Sequence, residues 1–435
     1  MHTRMLAASL LCFWLMGMGS AGLEADAVAR GREAFQRAQS AYLEKNFSAY
    51  REAMHQAVRL RPRLPPYLYN LAGAEALTGH AGEALKWLDR LARMGMAVNP
   101  SQDDDFSSLR GTPGFEKVLQ RLKRNRLPTG GGRPLFRVHQ KGLIAEGLTR
   151  DPTSGDFFLG SVRQRKILRV DGKTFQVRDF SAPGDGLDGV FGMKVDATRG
   201  ILWACSSSLA EMEGYRKSED GRAGLFQYDL KSGKLLGKHF PPEGYGKHLF
   251  GDLAVDAMGT VFITDSLSPG LWMLRVGGSG LEPFLVPGPF SSAQGLDFSA
   301  DGKKLFVADY SWGIFNVDRS TRKATLLDSP EDVTLLGIDG LYRRGRDLLA
   351  VQNGIRPNRL VVLRLAAGEK RVEGLRVLEA NTAYLDSPTL GVLEEKRICL
   401  IANSEWEAFD PSRGGLDPTK TRFPTILEIS LAGGR

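Results

Sequence analysis

The sequence predicts an all-β six-bladed β-propeller preceded by a small all-α domain of helical hairpins, and three observations predict it. Six short strand endings, FFLGS, LWACS, VFITD, LFVAD, LLAVQN and CLIAN, close at Ser161, Cys205, Asp265, Asp309, Asn353 and Asn403, with separations of 44, 60, 44, 44 and 50 residues. The hydrophobic period changes from about 3.6 to about 2 across the cluster PTGGGRP at 128–134. The composition, 42% hydrophobic and 25% charged over 435 residues, is that of a globular chain with room for two domains.

Taken in order, the first element is MHTRMLAASLLCFWLMGMGSAG, in which Arg4 precedes an apolar run ending near Met18 and the small residues Ser20, Ala21 and Gly22 follow. This is the pattern of an export signal over 1–22, and it predicts a periplasmic or secreted product; left uncleaved, it would be an anchor helix. No other segment is apolar enough to cross a membrane, so no span is expected after cleavage. Residues 23–127 read as helical. YLEKNFSAYREAMHQAVRLRP and LYNLAGAEALTGHAGEALKWLDRLARMG place apolar and small residues at helical spacing about one unit apart. The pair resembles the tetratricopeptide repeat, with Ala72, Gly79 and Ala84 in the expected places and Ala57 and Pro62 in the preceding copy. A groove for a protein partner and a small capping domain are both open readings.

The 128–134 cluster reads as a linker, since no GK[ST] follows it and no strand precedes it, which excludes a phosphate loop. Its flanks carry part of a formal charge of +8, but the basic runs RLRPR and RLKRNR lack interleaved aromatics, and nucleic acid is excluded as a partner. Of three cysteines, Cys12 lies in the export segment, while Cys205 and Cys399 sit in strand-like runs and are expected to be buried, inert thiols.

Residues 135–435 carry the blades. Each strand ending follows another short strand, EGLTRD, FGMKVD, GDLAVD, QGLDFS, DGLYRR or PTLGVL, and precedes a third, KILRVD, LFQYD, LWMLRV, GIFNVD, RLVVLRL or TILEIS. One such unit is too small to bury its own faces, so six specify a ring. LFRVH at 135–139 has no blade of its own and is expected to complete the last one.

A propeller brings the heads of its innermost strands and the ends of its second strands to one face. The heads are Glu146, Phe191, Gly251, Gln294, Asp339 and Pro388. Glu146, Gln294 and Asp339 depart from the repeat, and two carboxylates with an amide at a narrow mouth form a hard-oxygen environment. Like charges there cost energy unless protonated, solvated or bridged by a cation, and a divalent ion, Ca²⁺ first with Zn²⁺ or Mn²⁺ as alternatives, answers that cost. Asp265, Asp309 and Asn353, with Arg163, are candidates for orienting a polyhydroxylated or acidic small-molecule substrate. The recurrent residues among them equally suit capping of turns. Asp252, beside Gly251, is expected to point sideways off a regularly pleated strand. His248 and His139 precede strand heads and are candidates for proton transfer. Insertions at 206–224 and 404–423 are placed to wall the face. No GxSxG elbow suggests a serine nucleophile.

The triple EGL, QGL and DGL at the first, fourth and fifth heads resembles the senescence-marker-protein, gluconolactonase and luciferin-regenerating-enzyme family of six-bladed propellers, whose heads read EGP, NGL and DGM. The resemblance covers about 136 to 431. It implies a divalent metal on Glu146, Gln294 and Asp339, with Asp339 as general base in lactone hydrolysis; His248, from its place before a strand head, is the candidate to assist it. Gln294 is one methylene longer than the family's asparagine, and Gly251 stands where the family often supplies another. Two alternatives belong to other classes: a non-catalytic envelope protein that binds partners through its helical and propeller surfaces, and a propeller enzyme resembling strictosidine synthase, with Glu146 as the catalytic acid.

Overall fold

The computed structural model describes residues 23–431, so the predicted export segment lies outside the described residues. The chain divides into two units at Leu127/Pro128, and two short stretches of the later sequence, Ser329–Leu336 and Gly354–Pro357, cluster with the helical unit. The sequence reading had assigned both stretches to the propeller.

Helices α1 (Leu23–Leu43), α2 (Phe47–Leu60), α3 (Pro65–Leu77) and α4 (Ala81–Arg93) follow one another through short turns, and a longer segment with two 3-10 turns, Pro100–Gln102 and Asp104–Leu109, leads to α5 (Pro113–Asn125). The starts are chemically marked. Asn46 accepts a hydrogen bond from the Ala49 amide, and Pro65 and Pro113 occupy first-turn positions where a missing N–H costs nothing. Gly79 at φ +81° ends α3 in the left-handed conformation that favours glycine. On α4, Ala84, Leu88, Leu91 and Ala92 form one buried stripe. Helix α3, between α2 and α4, is buried over most of its surface. Its fully buried Glu75 is matched by Arg51 at 2.7 Å and His55 at 2.6 Å, the pairing a buried carboxylate needs.

Residues after Pro128 form six four-stranded antiparallel sheets. Blades 1 to 5 use four consecutive strands each, beginning at Ala145–Arg150, Gly189–Asp196, Phe250–Val255, Ala293–Phe298 and Ile338–Arg344. Blade 6 takes Gly391–Leu393, Arg397–Ile401 and Thr425–Ser430, and its outermost strand is Arg133–Arg137 from the start of the unit. Phe136 pairs with Ile426, so the N-terminal strand closes the ring as expected and leaves no open seam between first and last blades. Cys205 and Cys399 are buried free thiols, and burial pushes the Cys399 thiol up to about 12.

The 128–134 stretch is pinned. Thr129 and Ala380 exchange two backbone hydrogen bonds of 2.9 and 2.8 Å, and the Gly132 amide donates to Glu379 at 3.0 Å. A Cβ at Gly130 would lie 2.0 Å from that carboxylate, so the glycine is required by close approach as well as by its φ of +118°.

Candidate functional site at the channel mouth

First strands of neighbouring blades pack against one another around the axis. Each of the first five carries a bulge at its head, at Ala145/Leu148, Val190/Met193, Phe250/Leu253, Ala293/Leu296 and Ile338/Leu341. Two residues leave the ladder there: Glu146-Gly147, Phe191-Gly192, Gly251-Asp252, Gln294-Gly295 and Asp339-Gly340. The bulge re-aims the first of each pair, and glycine at the second lets the next blade come close. A Cβ at Gly147 would lie 2.0 Å from the Phe191 carbonyl oxygen, and one at Gly295 would lie 2.4 Å from that of Asp339.

Blade 3 reverses the order. The Asp252 side chain is 2% exposed, with Oδ1 at 2.4 Å from where a Cβ of Gly192 on the neighbouring blade would stand. Its Oδ2 is buried without a hydrogen-bond partner. Burial raises the pKa of Asp252, opposed chiefly by the Lys194 ammonium. A buried carboxylate therefore lies between blades 2 and 3, near enough to help raise the pKa of both Glu146 and Asp339.

Glu146 and Asp339 are brought together. Burial first, then repulsion from Asp339, holds the Glu146 carboxyl well above the usual carboxylate range, and the Trp406 indole opposes this by donating to Oε2 at 2.5 Å. Burial pushes Asp339 up to about 7, with Asp252 adding to the shift and the Asn353 amide opposing it from 2.7 Å on Oδ2. Asn353 is fixed in turn by the Tyr310 hydroxyl at 2.9 Å and by its own bond to the Pro388 carbonyl. Gln294 donates its amide N–H groups to Ser292 and Ser266. Its Oε1 leans over Gly251, 3.5 Å from an imagined Cβ, so the longer amide and the missing blade-3 side chain compensate one another in space. Glu146 Oε1, Asp339 Oδ1 and Gln294 Oε1 have no hydrogen-bond donor among the described residues. No three His, Cys, Asp or Glu side chains are grouped to hold an ion among those residues, so the candidate donor set is two carboxylates and an amide.

Four other expectations are corrected. Asp309 is fully buried, and its oxygens accept from the amides of Ser291, Ser292, Ser311 and Trp312. Asp265, also fully buried, accepts from the Leu249, Leu267 and Ser268 amides, the Trp272 indole and His248 Nδ1. Neither has an oxygen left for a substrate; they tie loops together. His248 is buried against Trp272, its Nδ1 donating to Asp265 at 2.6 Å, and no bond joins it to Glu146, Gln294 or Asp339 among the described residues. Arg163 binds the 206–224 insertion, donating to the Glu211 carbonyl at 3.2 Å and facing Glu213 at 3.4 Å. Of the substrate-orienting candidates only Asn353 reaches the mouth. His139 is exposed and lies against Phe423, 5.1 Å between rings.

One contact crosses the axis. Lys194 on blade 2 places its ammonium 5.4 Å from the ring centre of Tyr342 on blade 5. Those blades are opposite one another in a ring of six, so the two side chains meet across the axis. Tyr342 also accepts the Gly391 amide at 2.6 Å, joining blade 5 to blade 6.

No family profile matches the chain, and no curated protein matches it. Solved structures similar to it include the Malassezia sympodialis allergen Mala s 1, at 14% identity and TM-score 0.48, covering 67% of this chain and 95% of that one. Another is the calcium-binding protein regucalcin from Agrobacterium tumefaciens, at 14% and 0.48, covering 70% and 96%. A third is a putative gluconolactonase, at 14% and 0.46, covering 69% and 92%. These names span unrelated activities, and the fold rests on the six sheets themselves.

Proposed function

We propose that the chain is a hydrolase of cyclic esters, opening a sugar lactone or a related ester at the channel mouth outside the cytoplasm. The observation that carries this reading is the set of three oxygens without donors, Glu146 Oε1, Asp339 Oδ1 and Gln294 Oε1, each from a bulged strand head. Buried carboxylates held near one another are stabilised by a cation, and this donor chemistry fits a hard divalent ion such as Ca²⁺, with water completing the shell. Glu146, Gln294 and Asp339 would hold it, and when bound it supplies polarisation of an ester carbonyl.

The protein's own part is proton transfer and positioning. Asp339 is the group placed to accept a proton from water at the mouth. Asn353 donates to its Oδ2 and so sets the orientation of the carboxylate. The water oxygen bonds to the ester carbon, the ring C–O bond breaks, and the proton on Asp339 passes to the departing ring oxygen. Trp406 holds Glu146 in place throughout.

Purified protein is assayed by pH-stat against sugar lactones and simple esters with added Ca²⁺, Zn²⁺ or Mn²⁺. Hydrolysis that Asp339→Asn reduces by roughly 10²–10⁴-fold is expected. Absence of hydrolysis under every condition, with no cation-dependent change in melting temperature, would leave the binding-protein alternative.

A further inference from the structure

The 404–423 excursion interrupts blade 6 where blades 3 and 4 use tight turns, from Asp265 to Gly270 and from Asp309 to Gly313. It is built onto the ring. Glu405, 7% exposed and at φ +69°, accepts the Gly142, Leu143 and Arg422 amides at 3.4, 3.1 and 3.0 Å. Ala408 accepts the Asp417 amide at 2.7 Å, and Phe409–Asp410 pairs with Gly415–Leu416 as a small hairpin. One side chain from this excursion, Trp406, reaches the donor oxygens.

Trp406 is half-buried, with its ring centre 6.4 Å from that of Phe191 at 37° and its N–H spent on Glu146. Part of the indole packs against the core cluster that includes Ile144 and Phe191, and the part left exposed stands beside Glu146. An aromatic face next to convergent polar groups is the arrangement that orients a ring-shaped ligand: polar atoms meet the oxygens while the apolar ring face packs on the indole. We propose that Trp406 is the specificity-determining side chain of the mouth, a platform selecting cyclic substrates with an apolar ring face. This deepens the lactone reading and rests on it for the ligand class.

The test uses a non-hydrolysable sugar lactam, with binding followed by calorimetry. Trp406→Ala removes face and N–H; Trp406→Phe keeps an aromatic face and removes only the N–H. Wild type is expected to bind the lactam, Trp406→Phe to bind within about threefold of it, and Trp406→Ala to lose roughly tenfold or more. Melting temperatures of both variants check that the fold persists, and where Trp406→Ala fails to fold, Trp406→Leu takes its place. Equal losses in the aromatic and non-aromatic variants would show that the N–H matters and the face does not, overturning the platform. Wild-type-like binding by Trp406→Ala, or no binding by wild type, would also overturn it. Lactam binding with the expected variant pattern, but no lactone hydrolysis, would sink the enzymatic reading and leave the platform standing.

Discussion

Blades 3 and 4 close their second strands on Asp265 and Asp309, and blade 5 closes its own on Gln352, with Asn353 one residue beyond. Gln352 faces Ile338 as Asp265 faces Phe250 and Asp309 faces Ala293, so Asn353 sits one step past the position the aspartates hold, and it does different work. Both aspartates give their oxygens to backbone amides and hold two loops each. Asn353 turns its amide to Asp339 and so becomes part of the mouth. An aspartate facing Asp339 would add another carboxylate beside Glu146 and Asp339, whereas an amide offers a donor. What the difference teaches is that one residue of register decides whether a side chain at a strand end ties loops together or faces the mouth.

The largest effect that can break this contrast is Asp339→Asn, for which we expect a rate loss of roughly 10²–10⁴-fold with the melting temperature preserved. Asp309→Ala should do the reverse. Four buried amides lose their acceptor, stability falls by about 3 kcal/mol in chemical denaturation, and kcat of the folded fraction stays near wild type. Equal catalytic losses in the two variants would erase the distinction between site and scaffold. Calcium sharpens it further: at a hundredfold excess over Kd the ion should stabilise the EDTA-treated wild type by about 2.7 kcal/mol and leave Asp339→Asn unmoved.

Smaller effects belong to regions away from the mouth. In the helical unit, Asp105 accepts the Tyr42 hydroxyl at 2.8 Å, and burial, with repulsion from Asp103 and Asp104, raises its pKa from 3.8 to about 6. A raised carboxyl binds its proton more tightly in the folded state. Its contribution is therefore fully present below about pH 4 and is lost as pH rises through about 6. Asp105→Asn should flatten that slope and raise neutral-pH stability by about 1 kcal/mol, a figure reduced for partial exposure. The smallest expected effect is that of Glu379→Ala: about 1 kcal/mol or less in stability, with faster proteinase K cleavage at 129–132 once Gly132 loses its acceptor.

The six blades, their closure by an N-terminal strand and the helical hairpins were legible because each depends on local periodicity. Glu146 and Asp339 were legible because they break a repeat. The burial of Asp252 against Gly192 was not legible, because nothing in GDLAV announces a bulge at Phe250/Leu253. Asp265, Asp309, His248 and Arg163 were given to the substrate because a sequence lists polar atoms without saying which are already bonded. Trp406 was missed for a different reason: its partner lies 260 residues away, and the excursion that delivers it has no periodicity to read.

Lys194 and Tyr342, meeting across the axis, tie blade 2 to blade 5, and the Tyr342 hydroxyl carries the link on to blade 6. A blade loosened on one side of the ring is therefore felt on the other, and the strand heads share one fate.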